Sequence, residues 1–532
     1  MSIFPKMKTS LRFAMGLRNF LRYKLSLEEA QKVVRQRIEE RETNFLRLVE
    51  RGIFGYSRSP YLPLLKLAGC EMGDIRNMVR NRGLEGTLRG LREAGVYFSF
   101  EEYKGREPTV RNGQVISVNY QDFDNPYLQH YYHGETGGTT GVAIKVLVDL
   151  DHLALEAPDT MLACDAHGIL HVPTAIWLGG LPDPSGPHNI LGPAKFGQVP
   201  QKWFMATSTQ DRSPSLMNRI AMKYIIIMGR FFGTPIPWPE LVRWDDAIVI
   251  SRWVSKTLKA YGSCMITTFV SRALRVCIAA QEEGLDLSGA TFMVGGEPAT
   301  PAKVQGITRT GARCVPLYPF AEHGFAGIGC ARPADENDIH LFKDALALIQ
   351  FPRKVPGSGI EVDAFNFTSL LPTAPKLLLN VESDDYGLIE KRSCGCRLET
   401  YGFTEHLRHI RSFRKMTAGG STLLGSDIEY ILEEFLPARF GGSPLDYQLL
   451  EEEEEDGFTR LSLLVSPKIQ IPSEKKVVEA VFKVLGKWKA SQYRQTGTLR
   501  IKRMEPILTN RGKLMPIVPL HMTRNPGNIT KS

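Results

Sequence analysis

Gly134-Glu135-Thr136-Gly137-Gly138-Thr139-Thr140-Gly141 is the stretch from which the chain is best read. Its flanks, Gln129 to His133 and Val142 to Leu150, are dominated by aromatic and β-branched residues and develop no helical stripe, so both predict strands. The glycine-rich insert is then the loop of a hairpin. Gly137, Gly138 and Gly141 let backbone N–H groups crowd around an anion, and the hydroxyls of Thr136, Thr139 and Thr140 add donors. The pattern predicts a phosphate cradle. No Gly-Lys-Ser/Thr follows and no helix opens behind it, which excludes a Walker loop and a dinucleotide fingerprint.

Length and composition set the frame around this loop. A chain of 532 residues is too long for one core, so roughly two to four packed units are expected. With 43% hydrophobic and 23% charged residues the composition is globular, which excludes a disordered chain. The net charge of +9 favours anionic partners such as nucleotides, coenzyme A or an acidic carrier protein. Nucleic acid is not expected, because the basic residues are dispersed and no zinc-finger, recognition-helix or RNP pattern occurs. The longest apolar run, around Tyr224 to Phe232, is interrupted by Arg230, so no transmembrane segment is expected. Met1 to Lys24 is basic and amphipathic, and two readings stand: a helix packed on the large domain, or a segment that touches a membrane or directs targeting. Eight cysteines without a secretory signal predict a reducing, cytoplasmic setting with free thiols or a metal site.

Along the chain, Ser26 and Glu29 form a capping box for a helix whose stripe runs Leu27, Ala30, Val34, Ile38, Phe45, Leu48 and Val49 and stops at Gly52. Residues 1–110 read as a mostly helical leader that supplies core rather than chemistry. Residues 111–411 alternate helices (Ala247 to Ala260, Ser271 to Glu283) with short buried strands (Ala290 to Val294, Arg313 to Leu317), the pattern of an α/β domain whose ligands gather at strand ends. Residues 412–532 form a smaller unit. It holds a hairpin of Leu445 to Leu450 and Phe458 to Val465 with a solvated acidic tip, a helix after Pro472-Ser473, and a strand at Leu499 to Arg503.

Five segments occur in one order. After the threonine-glycine loop come Val294-Gly295-Gly296-Glu297-Pro298, then Tyr318-Pro319-Phe320-Ala321-Glu322, then Glu382-Ser383-Asp384-Asp385. They are followed by Arg411-Ser412-Phe413-Arg414 with Gly425-Ser426-Asp427-Ile428-Glu429, and by Thr509-Asn510-Arg511-Gly512-Lys513. In this order they resemble the adenylate-forming superfamily of acyl-CoA synthetases, adenylation domains and luciferases. The resemblance implies an α/β fold, a large N-terminal domain of several subdomains followed by a small mobile α+β C-terminal domain. It implies an adenine pocket lined by Gly296, Glu297 and Pro298, with Tyr318 stacking on the base. Glu322 would hold Mg2+ against the phosphates of ATP, and Asp385, with Asp384 as the alternative, would accept from the ribose hydroxyls. Arg411 would open the interdomain hinge, and Lys513 would be delivered to the active site. The acyl pocket would draw on Trp177, Phe204, Phe320 and His323. The chain departs from the family at Pro319 and Ala321, where glycine and threonine are usual, at Lys145, one residue beyond the usual loop lysine, and at Phe413 or Arg414, where the hinge often has aspartate.

Cys330, and Cys394-Gly395-Cys396, add a narrower resemblance to the phenylacetate-CoA ligase and coenzyme F390 synthetase branch. With His340 the set Cys330, His340, Cys394 and Cys396 would make a closed structural zinc site, with His323 as substitute ligand; reduced thiols at a turn are the alternative. The function so implied is ATP-dependent adenylation of a small carboxylic acid to acyl-AMP, with transfer to coenzyme A, a carrier-protein thiol or another nucleophile. Two alternatives stay open: adenylylation of a hydroxyl, and a non-catalytic member that binds nucleotide or a partner.

Overall fold

The computed structural model describes residues 3–135, 144–207, 215–355, 361–412, 417–418, 421–422, 428–453, 459–495, 499–519 and 529–530. The two strands expected around the threonine-glycine loop pair antiparallel, Tyr131–Glu135 with Lys145–Asp149. Thr136, Gly137, Gly138, Thr139, Thr140 and Gly141 themselves lie outside the described residues.

The leader is helical, but its capped helix is not one piece. Ser26 accepts from the Glu29 N–H, and the Glu29 carboxylate accepts from the Ser26 N–H. Helix Leu27–Glu39 then ends at Glu40 (φ −93°, ψ 12°), and Arg41–Leu48 and a π-turn at Val49–Phe54 follow. The break serves packing: Ala30 and Val34 join one core, whereas Phe45, Val49 and Ile53 join another. A continuous helix would have kept both sets on one stripe.

The central feature is a twelve-stranded sheet. Its strands are β1 (Thr174–Leu178), β2 (Lys202–Thr207), β3 (Pro239–Arg243), β4 (Cys264–Phe269), β5 (Ala290–Gly295), β6 (Arg313–Phe320), β7 (Gly324–Gly329), β8 (Ile339–Leu341), β9 (Leu346–Lys354), β10 (Glu361–Ser369), β11 (Val381–Lys391) and β12 (Glu405–Ser412). They lie in the order 9-10-11-12-8-7-6-5-4-1-2-3. From β6 to β3 every pairing is parallel, and from β6 to β9 every pairing is antiparallel. β6 therefore joins two sheet halves. Helices Ile248–Tyr261 and Val270–Glu282 cover the parallel half, as its buried, β-branched strands require. The order reverses between β4 and β1, which leaves a crevice beyond the carboxyl ends of the strands.

The C-terminal unit has its own sheet. Tyr447–Glu453 pairs antiparallel with Thr459–Val465, and Arg500–Arg503 and Ile517–Val518 add parallel strands on either side. Helix Glu474–Gln495 contributes Val477 and Val481 to a core with Ile431, Tyr447 and Leu463. The acidic run is less of a tip than its composition suggests. Glu451, Glu452 and Glu453 belong to the strand, where Glu452 binds Lys502 (2.6 Å) and accepts from the Ser462 hydroxyl (3.0 Å).

The two units are docked through buried charge. Lys303, on helix Pro301–Thr308, pairs with Glu433 at 2.8 Å, both 5% exposed or less, and the Thr300 hydroxyl donates to the same carboxylate. Arg511 pairs with Asp183 (3.1 Å), its carbonyl accepts from Arg272, and the Leu514 N–H donates to Glu297 (3.1 Å). Among the described residues no helix is long and apolar enough to cross a membrane.

Candidate functional site

A cavity of about 450 Å3 opens at the carboxyl ends of β1, β4, β5 and β6. Gly296, Glu297, Pro298, Tyr318, Phe320, Glu322, His323, Asp385, Arg411 and Lys513 all line it. Residues as far apart in the chain as Phe100 and Lys513 thus share one cavity.

Each arrives for a local reason. β5 ends at Gly295, and Gly296 turns the chain with φ +75°, a conformation that favours glycine. A Cβ at Gly296 would stand 2.9 Å from the Lys513 Nζ and 3.2 Å from the Phe269 ring, so the lysine approaches through space that only glycine leaves open. The Lys513 ammonium also lies 4.7 Å from the Phe269 ring centroid. Glu297 turns back into the protein, where its carboxylate accepts from the Ser271 N–H (2.8 Å), the Ser271 hydroxyl (2.9 Å) and the Leu514 N–H. Its carboxylate therefore anchors the C-terminal loop, in addition to the residue's place on the cavity wall.

On β6 the pairing with β7 slips between Tyr318 and Pro319. Proline has no N–H for the ladder, and such a bulge re-aims the side chains around it. Tyr318 donates to Asp385 at 2.8 Å; burial first, and then the Asp385 carboxylate, push its phenol well above the ordinary range. Asp384 also lines the cavity and accepts from the Ser412 hydroxyl at 2.9 Å. Arg411 is a strand residue of β12, opposite Tyr386, and residues 413–416 after it lie outside the described set.

Glu322 has a partner that sequence reading missed. Lys104, from the leader, donates to its Oε1, and the Tyr120 hydroxyl donates to the same oxygen at 3.0 Å. Burial opposes its ionisation most strongly, but the Lys104 ammonium, the Tyr120 hydroxyl and the Lys376 ammonium together hold the carboxyl below its usual range. The leader thus does reach the site, a correction to its reading as core alone. Nothing near Lys104 in sequence marks it out, because its partner is 218 residues away.

The acyl-pocket expectations divide. Phe320 and His323 line the cavity and stack on each other, centroids 5.6 Å apart. Trp177 and Phe204 do not line it. Side chains alternate along a strand, so Ile176 and Leu178 of β1 face one way and Trp177 the other, into a core with Phe204, Val254 and Ile266. Both rings are at most 1% exposed. In their place His152, His188 and Leu178 share the wall with His323. Burial lowers His323 to about 3 and His152 to about 4, so both rings are neutral, and burial raises the neighbouring Glu156 carboxyl to about 8.

Cys330, His340, Cys394 and Cys396 do come together, each with a ligand atom within 4.8 Å of the others. His340 Nε2 lies 3.2 Å from Cys396 Sγ and 3.6 Å from Cys394 Sγ, while its Nδ1 bonds the Phe403 carbonyl at 2.7 Å. That bond leaves the Nε2 lone pair aimed at the sulfurs, the arrangement a ligating imidazole needs. Backbone N–H groups of Arg332 and Cys396 donate to Cys330 and Cys394 sulfurs (3.3 and 3.4 Å). Three thiols and one imidazole fit tetrahedral zinc. His323 is not needed there, since it faces the cavity.

No family model and no curated protein matches the chain. Among solved structures it is similar to the anthranilate CoA ligase AuaEII in complex with anthranoyl-AMP, with 11% identity over 76% of this chain and 68% of that one and a TM-score of 0.46. It is also similar to the adenylation domain of a keto acid-selecting NRPS module bound to keto acyl adenylate (11% identity, 70% and 65% covered, TM-score 0.36). A third is an acyl-CoA synthetase (AMP-forming)/AMP-acid ligase II-like protein from Dyadobacter fermentans (11% identity, 83% and 95% covered, TM-score 0.30).

Proposed function

We propose that the chain uses ATP to adenylate a carboxylic acid, and that the acyl group then passes to the thiol of coenzyme A or of a carrier protein. The observation that carries the reading is the approach of Lys513, from the C-terminal unit, to the cavity wall that also bears the Tyr318–Asp385 pair. An acid carboxylate oxygen bonds to the α-phosphorus, and pyrophosphate leaves with the electrons of the broken P–O bond. Two anions meet in this step, so catalysis is chiefly charge neutralisation and positioning.

In this reading Tyr318 forms a wall for the base and Asp385 receives the ribose hydroxyls, while Gly296 and Pro298 close the adenine side. Thr136 to Gly141 cradle the phosphates, and Lys513 supplies a compact positive charge at the reacting oxygens. Glu322, held ionised, is the residue that would hold Mg2+, which would supply further neutralisation when bound; Lys104 already shares its Oε1. Phe320 and His323, with His152, bound the acid. Rotation about residues 411–415, the proposed boundary of the small domain, would withdraw Lys513 for the second half-reaction. The setting proposed is cytoplasmic. The cysteine-histidine cluster is proposed as a structural zinc site, with no part in the reaction.

Acid-dependent exchange of labelled pyrophosphate into ATP, over a panel of aryl, amino and fatty acids, tests the reading. Exchange with at least one acid is expected. No exchange with any of them refutes it, and a stable AMP-bearing hydroxyl product would replace it with adenylylation.

A further inference from the structure

Helices Ile3–Arg22 and Leu216–Phe231 lie side by side: the Tyr224 hydroxyl donates to the Ala14 carbonyl (3.2 Å), and Phe13, Leu17 and Phe20 share a core with Ile225 and Ile226. Ile225 and Ile226 make the buried face of the second helix, whereas Tyr224 reaches the first helix from within the opposite arc. The outer face of Leu216–Phe231 is also apolar. At 3.6 residues per turn, Leu216, Met217, Ile220, Ile227 and Phe231 fall within an arc of about 100°. They are 52% to 77% exposed. Leu11 and Met15, one turn apart on the first helix, are exposed as well, at 62% and 58%.

Singly exposed apolar residues are ordinary, but a stripe running the whole length of a helix is not. Charge indicates what covers it. Neither helix contains an aspartate or a glutamate, and Arg12, Arg18, Arg22, Arg219, Lys223 and Arg230 are all exposed along them. On the second helix the cations lie along one border of the apolar stripe, between it and the buried face. Apolar side chains bordered by cations that form no ion pair among the described residues match a bilayer surface, where acyl chains lie beneath anionic headgroups. A protein partner would need a surface both apolar and uniformly acidic. We propose that the exposed side of this helix pair, led by the stripe of Leu216–Phe231, docks on anionic membrane surfaces. The first helix then does both things its composition suggests, packing with its inner face and touching lipid with its outer one. The proposal is independent of the adenylation reading, because it uses no residue of the cavity.

Vesicle flotation of the full chain tests it, with phosphatidylcholine alone and with phosphatidylcholine containing phosphatidylserine. The expected result is flotation with the anionic vesicles only, lost at high salt as screening removes the attraction. Arg18→Glu with Arg219→Glu and Lys223→Glu weakens partitioning about fivefold or more per reversed charge. Ile220→Ser with Ile227→Ser and Phe231→Ser weakens it at least about tenfold by removing buried apolar area. The melting temperature stays unchanged in that variant, since the three side chains are exposed. Equal binding to both vesicle types, or binding to neither, overturns the proposal. So does self-association that the serine variant abolishes, which would assign the face to a second copy of the chain.

Discussion

Replacing Lys513 by alanine tests whether the C-terminal unit brings charge to the reaction. The ammonium stands 4.7 Å from the Phe269 ring centroid and 2.9 Å from where a Cβ at Gly296 would be, so it borders the cavity itself. Opposite unit charges about 4 Å apart interact by about 4 kcal/mol at an effective dielectric near 20, and water entering the vacated space recovers part of that. A loss of about 2 to 4 kcal/mol slows the adenylation step about 30- to 1,000-fold. Docking should survive, because the Leu514 N–H bond to Glu297 and the Arg511 contacts with Asp183 and Arg272 do not use the lysine side chain. The assay is acid-dependent pyrophosphate exchange, with ATP affinity measured separately at equilibrium. Slow exchange is expected with ATP affinity changed less than about threefold and an unaltered melting temperature. Exchange within threefold of the parent would refute it, and so would an equal loss of binding and turnover, which would make Lys513 a binding residue only.

Glu433→Ala leaves the Lys303 ammonium and the Thr300 hydroxyl buried without their carboxylate, at a cost of about 3 to 5 kcal/mol. We expect lower stability together with slowed exchange, measured by denaturant unfolding and the same exchange assay; a change below about 1 kcal/mol would show that the pair does not hold the units together. The protein prepared with zinc should carry one ion per chain by elemental analysis, and Cys396→Ser should lose it and melt at a lower temperature, whereas full zinc content in Cys396→Ser would exclude the site. His323 is pushed down to about 3 in the fold against about 6.5 unfolded, so its neutral form is favoured. Its contribution is complete above the unfolded value and falls by up to about 1.4 kcal/mol per pH unit as pH drops from 6.5 toward 3. The stability difference between the parent and His323→Gln should therefore shift by about 2 kcal/mol between pH 7 and pH 5. Glu156, raised to about 8, acts in the opposite direction and cancels in that difference. A difference independent of pH would mean that His323 is not buried as the neutral ring.

Local chemistry sufficed for much of this protein. The capping box at Ser26 and Glu29, the strands on either side of the threonine-glycine loop and helix Ile248–Tyr261 depend on neighbours a few residues away, so composition and spacing specify them. The order of segments likewise made Tyr318, Asp385 and Lys513 legible as one group, and the three do share a cavity. Whatever depended on which face of an element is covered was settled by tertiary packing. Trp177 and Phe204 have the chemistry of pocket walls, but strand alternation turns both into the core, while Leu178, one position along, reaches the cavity. Lys104 and Glu322, or Lys303 and Glu433, carry no mark in the sequence that they belong together. A buried charge requires a counter-charge but does not specify how far along the chain it comes from, and only folding brings that partner within reach.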